Sequence, residues 1–279
     1  MGVSNAKLLL FNAVDLAVID SATAGPETLP ASHLKRYGNS RVYRSSNKAH
    51  TQIKLTWTEP QLVSGIALWR HTLSDSATWQ IRLYENPDYT GENLDTDVLQ
   101  AVEQKTVGEL DWLIDSLVAA ADQSRLRASD YFHSDELFVR SAIIDVWDAD
   151  NDQAYIDIAR LYMGRVLSPS VNLDWGTSFD IFSSGKQRRT AGGSVYASAL
   201  GQGRKITFSF SYVNEFERPH LANGLNHVGI SRDFYFSLYP GAGGQKERQY
   251  AMAAKFERMP SITHLRFDQF SAKFSVIEA

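Results

Sequence analysis

The chain has 279 residues, 43% of them hydrophobic and 22% charged, with a net charge of −4 and no cysteine. That balance excludes a disordered chain, and the missing thiols exclude disulfide staples, cysteine zinc sites and thiol nucleophiles. Charge is uneven: residues 1–165 carry 15 Lys+Arg and 23 Asp+Glu (−8), whereas residues 166–279 carry 13 and 9 (+4). The split predicts two units with a boundary near 165–180, and +4 without a dense basic run makes no case for nucleic acid.

The first apolar run, Leu8–Phe11, is too short for a signal-peptide core, and no stretch is long enough for a membrane-spanning helix. A soluble protein made in a cytoplasm is the expectation. IKLTW (53–57) alternates, placing Ile53, Leu55 and Trp57 on one face, and WQIRLY (79–84) does the same with Trp79, Ile81 and Leu83. VSGIALW (63–69) is almost continuously apolar, which predicts a central strand buried on both faces. One segment breaks the pattern. In ELDWLIDSLVAAADQ (109–123), Leu110, Leu113, Ile114, Leu117, Val118 and Ala121 fall on one face of a helix. This predicts a helical insertion at about 95–125. FVRSAIIDVW (138–147) and AYIDIARLYMG (154–164) flank the polar turn Asp148–Gln153 and predict a hairpin.

After the serine-rich stretch 165–185 the strands return. In KITFSFSYV (205–213), Ile206, Phe208, Phe210 and Tyr212 alternate with polar residues and are predicted to face inward together. FERPHLANGLNHVG (216–229) reads as a short helix, with Pro219 near its start and Gly229 as its C-cap. Then follow DFYFSLYP (233–240), a loop GAGGQKER, the strand QYAMAAKF (249–256) and a last strand FSAKFSVIE (270–278).

Two stretches carry a resemblance. LPASHL (29–34), VYRSS (42–46), GIALWRHTLSDSATWQIRLY (65–84) and AIIDVWDADNDQAYIDIARLYMG (142–164) resemble the discoidin-like (galactose-binding-like) jelly-roll domains of phage tail proteins. The shared ending here is Tyr155, Ile156, Ile158, Arg160, Leu161 and Gly164; Thr72 stands where the pattern has Asn, and Ala159 where it often has Gly. RRTAGGSVYAS (188–198), ITFSFSYVNEFE, the short helix, FYFSLYPG and the final strand resemble in order and spacing the C-terminal domain of phage minor tail and distal-tail-type proteins. The resemblance implies a mostly β fold: a jelly-roll sandwich over 1–165 with the helical insertion, and a smaller β-barrel or sandwich over 166–279 with one short helix. It implies a structural component of a bacteriophage tail tip or baseplate, located in the virion after synthesis in the host cytoplasm. The implied partners are tube, hub and neighbouring tail-tip subunits, with a homo-oligomeric ring around the tail axis. The alternative it carries is a lectin-like module for host-surface glycans.

Candidate chemistry is sparse. Asp148, Asp150 and Asp152 have calcium-loop spacing, but the sixth and twelfth positions hold Gln153 and Ala159 instead of the required Gly and Glu. His220 and His227 are seven apart on the predicted helix and share a face, without a metal-protease motif. There is no Gly-x-Ser-x-Gly, and the glycine-rich GQGRK and GAGGQK lack phosphate-loop spacing. No catalytic residue, metal site or cofactor is therefore expected, and no enzymatic activity. For glycan contact the candidates are Trp69, Arg70 and His71 at a strand end, although the apolar run before Trp69 favours a core position. For assembly they are Arg188, Arg189, Gly192 and Gly193, in a loop where arginines offer bidentate pairs and glycines permit close backbone approach.

Overall fold

A computed structural model describes residues 4–21, 23, 25–38, 41–102, 128–183, 185–198, 201–242 and 244–279. The helix expected at 109–123 lies outside the described residues. The described strands are β1 (Lys7–Leu9), β2 (Val18–Ser21), β3 (Tyr43–Arg44), β4 (Thr51–His71), β5 (Thr78–Tyr84), β6 (Glu92–Asp95), β7 (Leu99–Gln100), β8 (Ala128–Trp147) and β9 (Asp157–Gly164). They continue with β10 (Ser178–Ser183), β11 (Gln187–Arg189), β12 (Val195–Ala197), β13 (Gln202–Val213), β14 (Phe234–Ser237), β15 (Ala251–Phe256), β16 (Ile262–Arg266) and β17 (Gln269–Glu278). Two α-helices are described, α1 (Glu217–Val228) and α2 (Gly244–Tyr250). The protein is mostly β, a jelly-roll-type sandwich joined to an open sheet.

β4 and β8 run antiparallel along almost their whole length, Thr51 opposite Val146 at one end and Trp69 opposite Ala128 at the other. Register shifts between Thr56 and Gln61 and between Val63 and Gly65 bend the ribbon. Each long strand thereby serves two layers. The outer layer joins β2, the first half of β4, the second half of β8, and β5 with β6 and β7 on its edge. The middle layer joins β3, β9, the second half of β4 and the first half of β8. The two apolar runs around Asp148–Gln153 therefore do not form the expected hairpin. β8 and β9 each pair with β4, and the turn carries the chain from one layer to the other.

Between the layers lies a core containing Ile53, Leu55, Trp57, Trp79, Ile81 and Leu83, as the alternation predicted, with Ile66, Leu68, Leu161 and Met163 facing them. The intervening Ala67, Trp69 and Tyr162 point the other way and pack with Phe208, Phe210, Phe234, Phe236 and Phe274. Where β9 and the second half of β4 run side by side, the middle layer is thus buried on both faces, which is why these two strands read as unbroken apolar runs.

The third layer is the open sheet β1-β14-β15-β17-β13-β10, with β16 on β17. Its edge strand β1 comes from the chain's start: Leu8 lies opposite Phe236, and its backbone also bridges Leu167 at 2.9 and 2.8 Å. Lys7–Leu9, expected with the first unit, therefore belongs to the sheet built from the second. Gly164 permits the crossing, since a Cβ there would sit 2.4 Å from the Phe11 carbonyl oxygen. Helix α1 forms where expected. Asn214 and Glu217 exchange side-chain–backbone hydrogen bonds at 2.8 and 3.2 Å, and Gly229 (φ +56°) ends the helix. Residues 244–250 of the expected loop GAGGQKER and its neighbour form α2 instead.

Two further expectations change. Tyr212 is partly exposed, because the register shift between Phe210 and Val213 turns it outward and buries Val213 in its place. Residues 99–100, inside the expected helical insertion, are extended and pair with β5.

Candidate functional site

The solvent-facing side of the outer layer is organised by one carboxylate. Asp145 lies near the end of β8, which runs between β4 and β5 there, opposite Gln52 on β4 and Gln80 on β5. The strand alternation sends Ile144 and Val146 into the core and Asp145 outward, where longer neighbours cover it. Its side chain is 2% exposed, while that of His50 above it is 47% exposed. Oδ1 accepts from His50 Nε2 at 2.8 Å and from Gln52 Nε2 at 2.8 Å, and Oδ2 accepts from Arg82 Nη2 at 2.5 Å. Burial raises the Asp145 pKa, but the hydrogen bonds from His50, Arg82 and Gln52 outweigh it, and the net shift is downward. The carboxylate is therefore ionised near neutral pH, and it fixes three planar polar side chains on the surface.

Beside this cluster the His50 and Trp147 rings stack, with centroids 5.2 Å apart and planes 8° from parallel. Next along the face, Gln80 donates to Asp95 at 2.7 Å. Lys54 lies over the Tyr89 ring at 5.5 Å, and Tyr89 meets Tyr84 edge-on. A flat aromatic platform beside oriented amide and guanidinium donors suits a ligand with an apolar face and vicinal hydroxyls. Asp145, held ionised by Arg82, has no proton to donate at neutral pH. Sequence reading missed this site because it is assembled across three strands. The available signal was a lone acid inside an apolar strand, at an outward position.

The sequence-predicted residues lie elsewhere. Trp69 is 1% exposed in the core between the middle layer and the third sheet. Arg70 (φ +48°) donates to Glu278 at 2.8 Å, and Glu278 also receives Arg204 Nε at 3.1 Å. The Arg204 guanidinium lies over the Trp69 ring at 5.4 Å. His71 is buried, bonded to the Ser129 hydroxyl at 2.9 Å. Trp69 and Arg70 therefore tie the middle layer to the third sheet, His71 joins β4 to β8 within the middle layer, and the buried Trp69 and His71 present no surface to a glycan.

Arg188 and Arg189 lie on β11, whose hairpin partner is β12; Gly192 and Gly193 (φ +83°) form the turn between them. The hairpin is exposed throughout, including Val195 and Tyr196.

Asp148 is used internally, accepting the Ser74 amide at 2.8 Å, the Ser74 hydroxyl, and Asn151 Nδ2 at 2.7 Å. Asp150 accepts from Ser76. His220 and His227 do share a face of α1. They line a groove of about 540 Å³ with Phe11 and Arg165, where Arg165 pairs with Glu136 at 2.5 Å.

No protein-family profile matches this chain, and no curated protein matches it. Among solved structures, similarity is found to the family 32 carbohydrate-binding module of Clostridium perfringens NanJ in complex with galactose. It is 10% identical over 57% of this chain and 98% of that one, with a TM-score of 0.38. CpGH89CBM32-6 from the same organism is 8% identical over 56% and 99%, with a TM-score of 0.37. A chitosan-binding module from the chitosanase/glucanase of Paenibacillus sp. IK-5 is 9% identical over 56% and 99%, with a TM-score of 0.36. At identities of 8–10% and TM-scores of 0.36–0.38 these likenesses assign no ligand to this chain.

Proposed function

We propose that this protein binds carbohydrate through the outer sheet face centred on Asp145, without turning it over. The observation that carries the reading is the joint placement of the His50–Trp147 stack and the three donors fixed by Asp145. On this reading Trp147 and His50 take the C–H face of a sugar ring, while Arg82, Gln52 and Gln80 read its hydroxyls. A glycan array with the full chain tests it, followed by calorimetry. Arg82→Ala should weaken binding about tenfold or more, since a hydrogen bond to a charged group contributes about 1.5–3 kcal/mol, and Trp147→Ala should weaken it by removing the stacking face. Binding untouched by both changes, or no glycan bound even when displayed densely, overturns the reading.

A second reading, a phage tail-tip component, rests on the projecting hairpin β11–β12, which offers Arg188, Arg189, Val195 and Tyr196 to a neighbour. Here the hairpin contacts a tube, hub or adjacent subunit, and the sandwich carries the glycan site outward. Purified particles should then contain the chain, and Arg188→Glu with Arg189→Glu should remove it from them. Particles that lack the wild-type chain sink this reading and leave the glycan site unaffected.

A further inference from the structure

One end of the third sheet exposes large aromatic side chains from three separate loops. Trp175 is fully exposed, Phe267 is 91% exposed and Phe216 is 86% exposed. The backbone brings their loops together. Asp174 donates its N–H to Ser209 at 2.9 Å and accepts the Ser211 N–H at 3.1 Å, which lays Trp175 alongside β13. Gln269 donates to the Ser211 carbonyl at 3.2 Å, so the β16–β17 turn carrying Phe267 lies on the other side of β13. Phe216 follows β13 directly, three residues beyond Val213, which is opposite Phe270. Between them Tyr212 faces outward, re-aimed by the register shift at the end of β13. Leu265 on β16 is exposed as well.

We infer that this aromatic end is a self-association surface, on which a second copy of the chain docks about a two-fold axis. Rings of this kind bury about 150–250 Å² each, so three nearly bare ones offer on the order of 450–750 Å². One side of a stable interface needs about 800 Å², and monomeric proteins seldom leave a contiguous apolar patch of more than a few hundred Å². A two-fold contact needs a surface complementary to itself. Phe267 sits between Arg266 and Asp268, so across the axis each arginine meets the other copy's aspartate. At the edge of the patch Glu215 pairs with Arg218 at 2.8 Å, and the Asp174 carboxylate is held by the Ser209 and Ser211 hydroxyls at 2.8 and 2.7 Å. The two-fold contact is separate from both the glycan face and the hairpin.

Sedimentation equilibrium of the full chain over a wide concentration range tests the inference. Wild type should show a reversible monomer–dimer equilibrium. Trp175→Ser with Phe267→Ser should weaken it roughly tenfold or more, as expected of central aromatic anchors. Trp175→Phe should keep most of it, and Phe138→Ser, on a separate exposed aromatic, should leave it unchanged. Because the substituted side chains meet solvent, the melting transition should be unchanged, so a lost dimer is not a lost fold. A wild-type chain monomeric at every concentration, or a dimer indifferent to the double change, overturns the inference. Flotation with phosphatidylcholine–phosphatidylglycerol vesicles that Trp175→Ser abolishes overturns it in favour of a bilayer.

Discussion

Arg160 of β9 and Asp233, one residue before β14, form an ion pair at 3.0 Å with both side chains 3% exposed. Asp233 also accepts the Tyr162 hydroxyl at 2.9 Å, and Arg160 pairs with Asp15 at 2.9 Å. The pair joins the middle layer of the sandwich to the third sheet. Burial disfavours the arginine's charge, yet the surrounding acidic groups raise its pKa overall, so the guanidinium stays charged. Removing Asp233 leaves Arg160 with the partly exposed Asp15 and strips the Tyr162 hydroxyl of its acceptor, at a cost of about 3 kcal/mol. Asp233→Ala should therefore lower Tm by about 6 °C or more. Arg160→Met with Asp233→Leu should recover most of that loss, and scanning calorimetry of the three chains decides it.

Unfolding should be a single cooperative transition. The middle layer supplies residues to both cores, and β1 pairs within the third sheet although it begins the chain. Loss of either core should therefore unfold the other. Calorimetry and tryptophan fluorescence should give coincident midpoints; two separated transitions would show that the shared layer does not couple the cores.

Trp69→Ala should behave as a core lesion. The ring is buried and the cavity cannot refill, so the cost is about 3–5 kcal/mol. Urea melts measure it. Retention of any glycan affinity by the surviving folded fraction is the expected companion result, since the sheet face around Asp145 is remote in pairing from Trp69.

Acid should destabilise the protein through Asp145 and Glu278. In Glu278, burial raises the pKa, while Arg204 and Arg70 lower it more, and the net shift is downward as for Asp145. A folded pKa below the unfolded one means the native state binds fewer protons. This stabilisation is present above the unfolded values, about 3.9 for Asp and 4.3 for Glu. It is lost as pH falls through the folded values. Urea midpoints should therefore drop steeply below about pH 4, and Asp145→Asn should make that drop shallower. An unchanged slope in the variant would remove Asp145 from the account.

Much of the fold was legible where pattern is local. The alternations at 53–57 and 79–84 placed the sandwich core, and the Pro219 and Gly229 signals placed α1. Tyr212 was misplaced because a one-residue register shift reverses every side chain after it, and nothing in the neighbouring residues marks that shift. The hairpin expected around Asp148–Gln153 failed for a related reason. A short turn between two strands permits pairing, but β4, far away in sequence, competes for both. Asp145 was invisible because its meaning depends on Gln52, His50 and Arg82, which only the register brings to it. Trp69 shows the converse: a tryptophan followed by arginine and histidine resembles a binding motif, and the unbroken apolar run before it was the better guide.

The middle layer also limits how this protein can be rearranged. A sandwich whose two outer faces both tolerate water can be moved between chains on its own. Here one outer face carries Ala67, Trp69 and Tyr162 into a neighbour's core. A graft of the sandwich onto another protein would bare that face and invite aggregation, unless the third sheet travels with it. Recombination therefore has to move the whole three-layer block, and the chain's own first strand is part of the cargo.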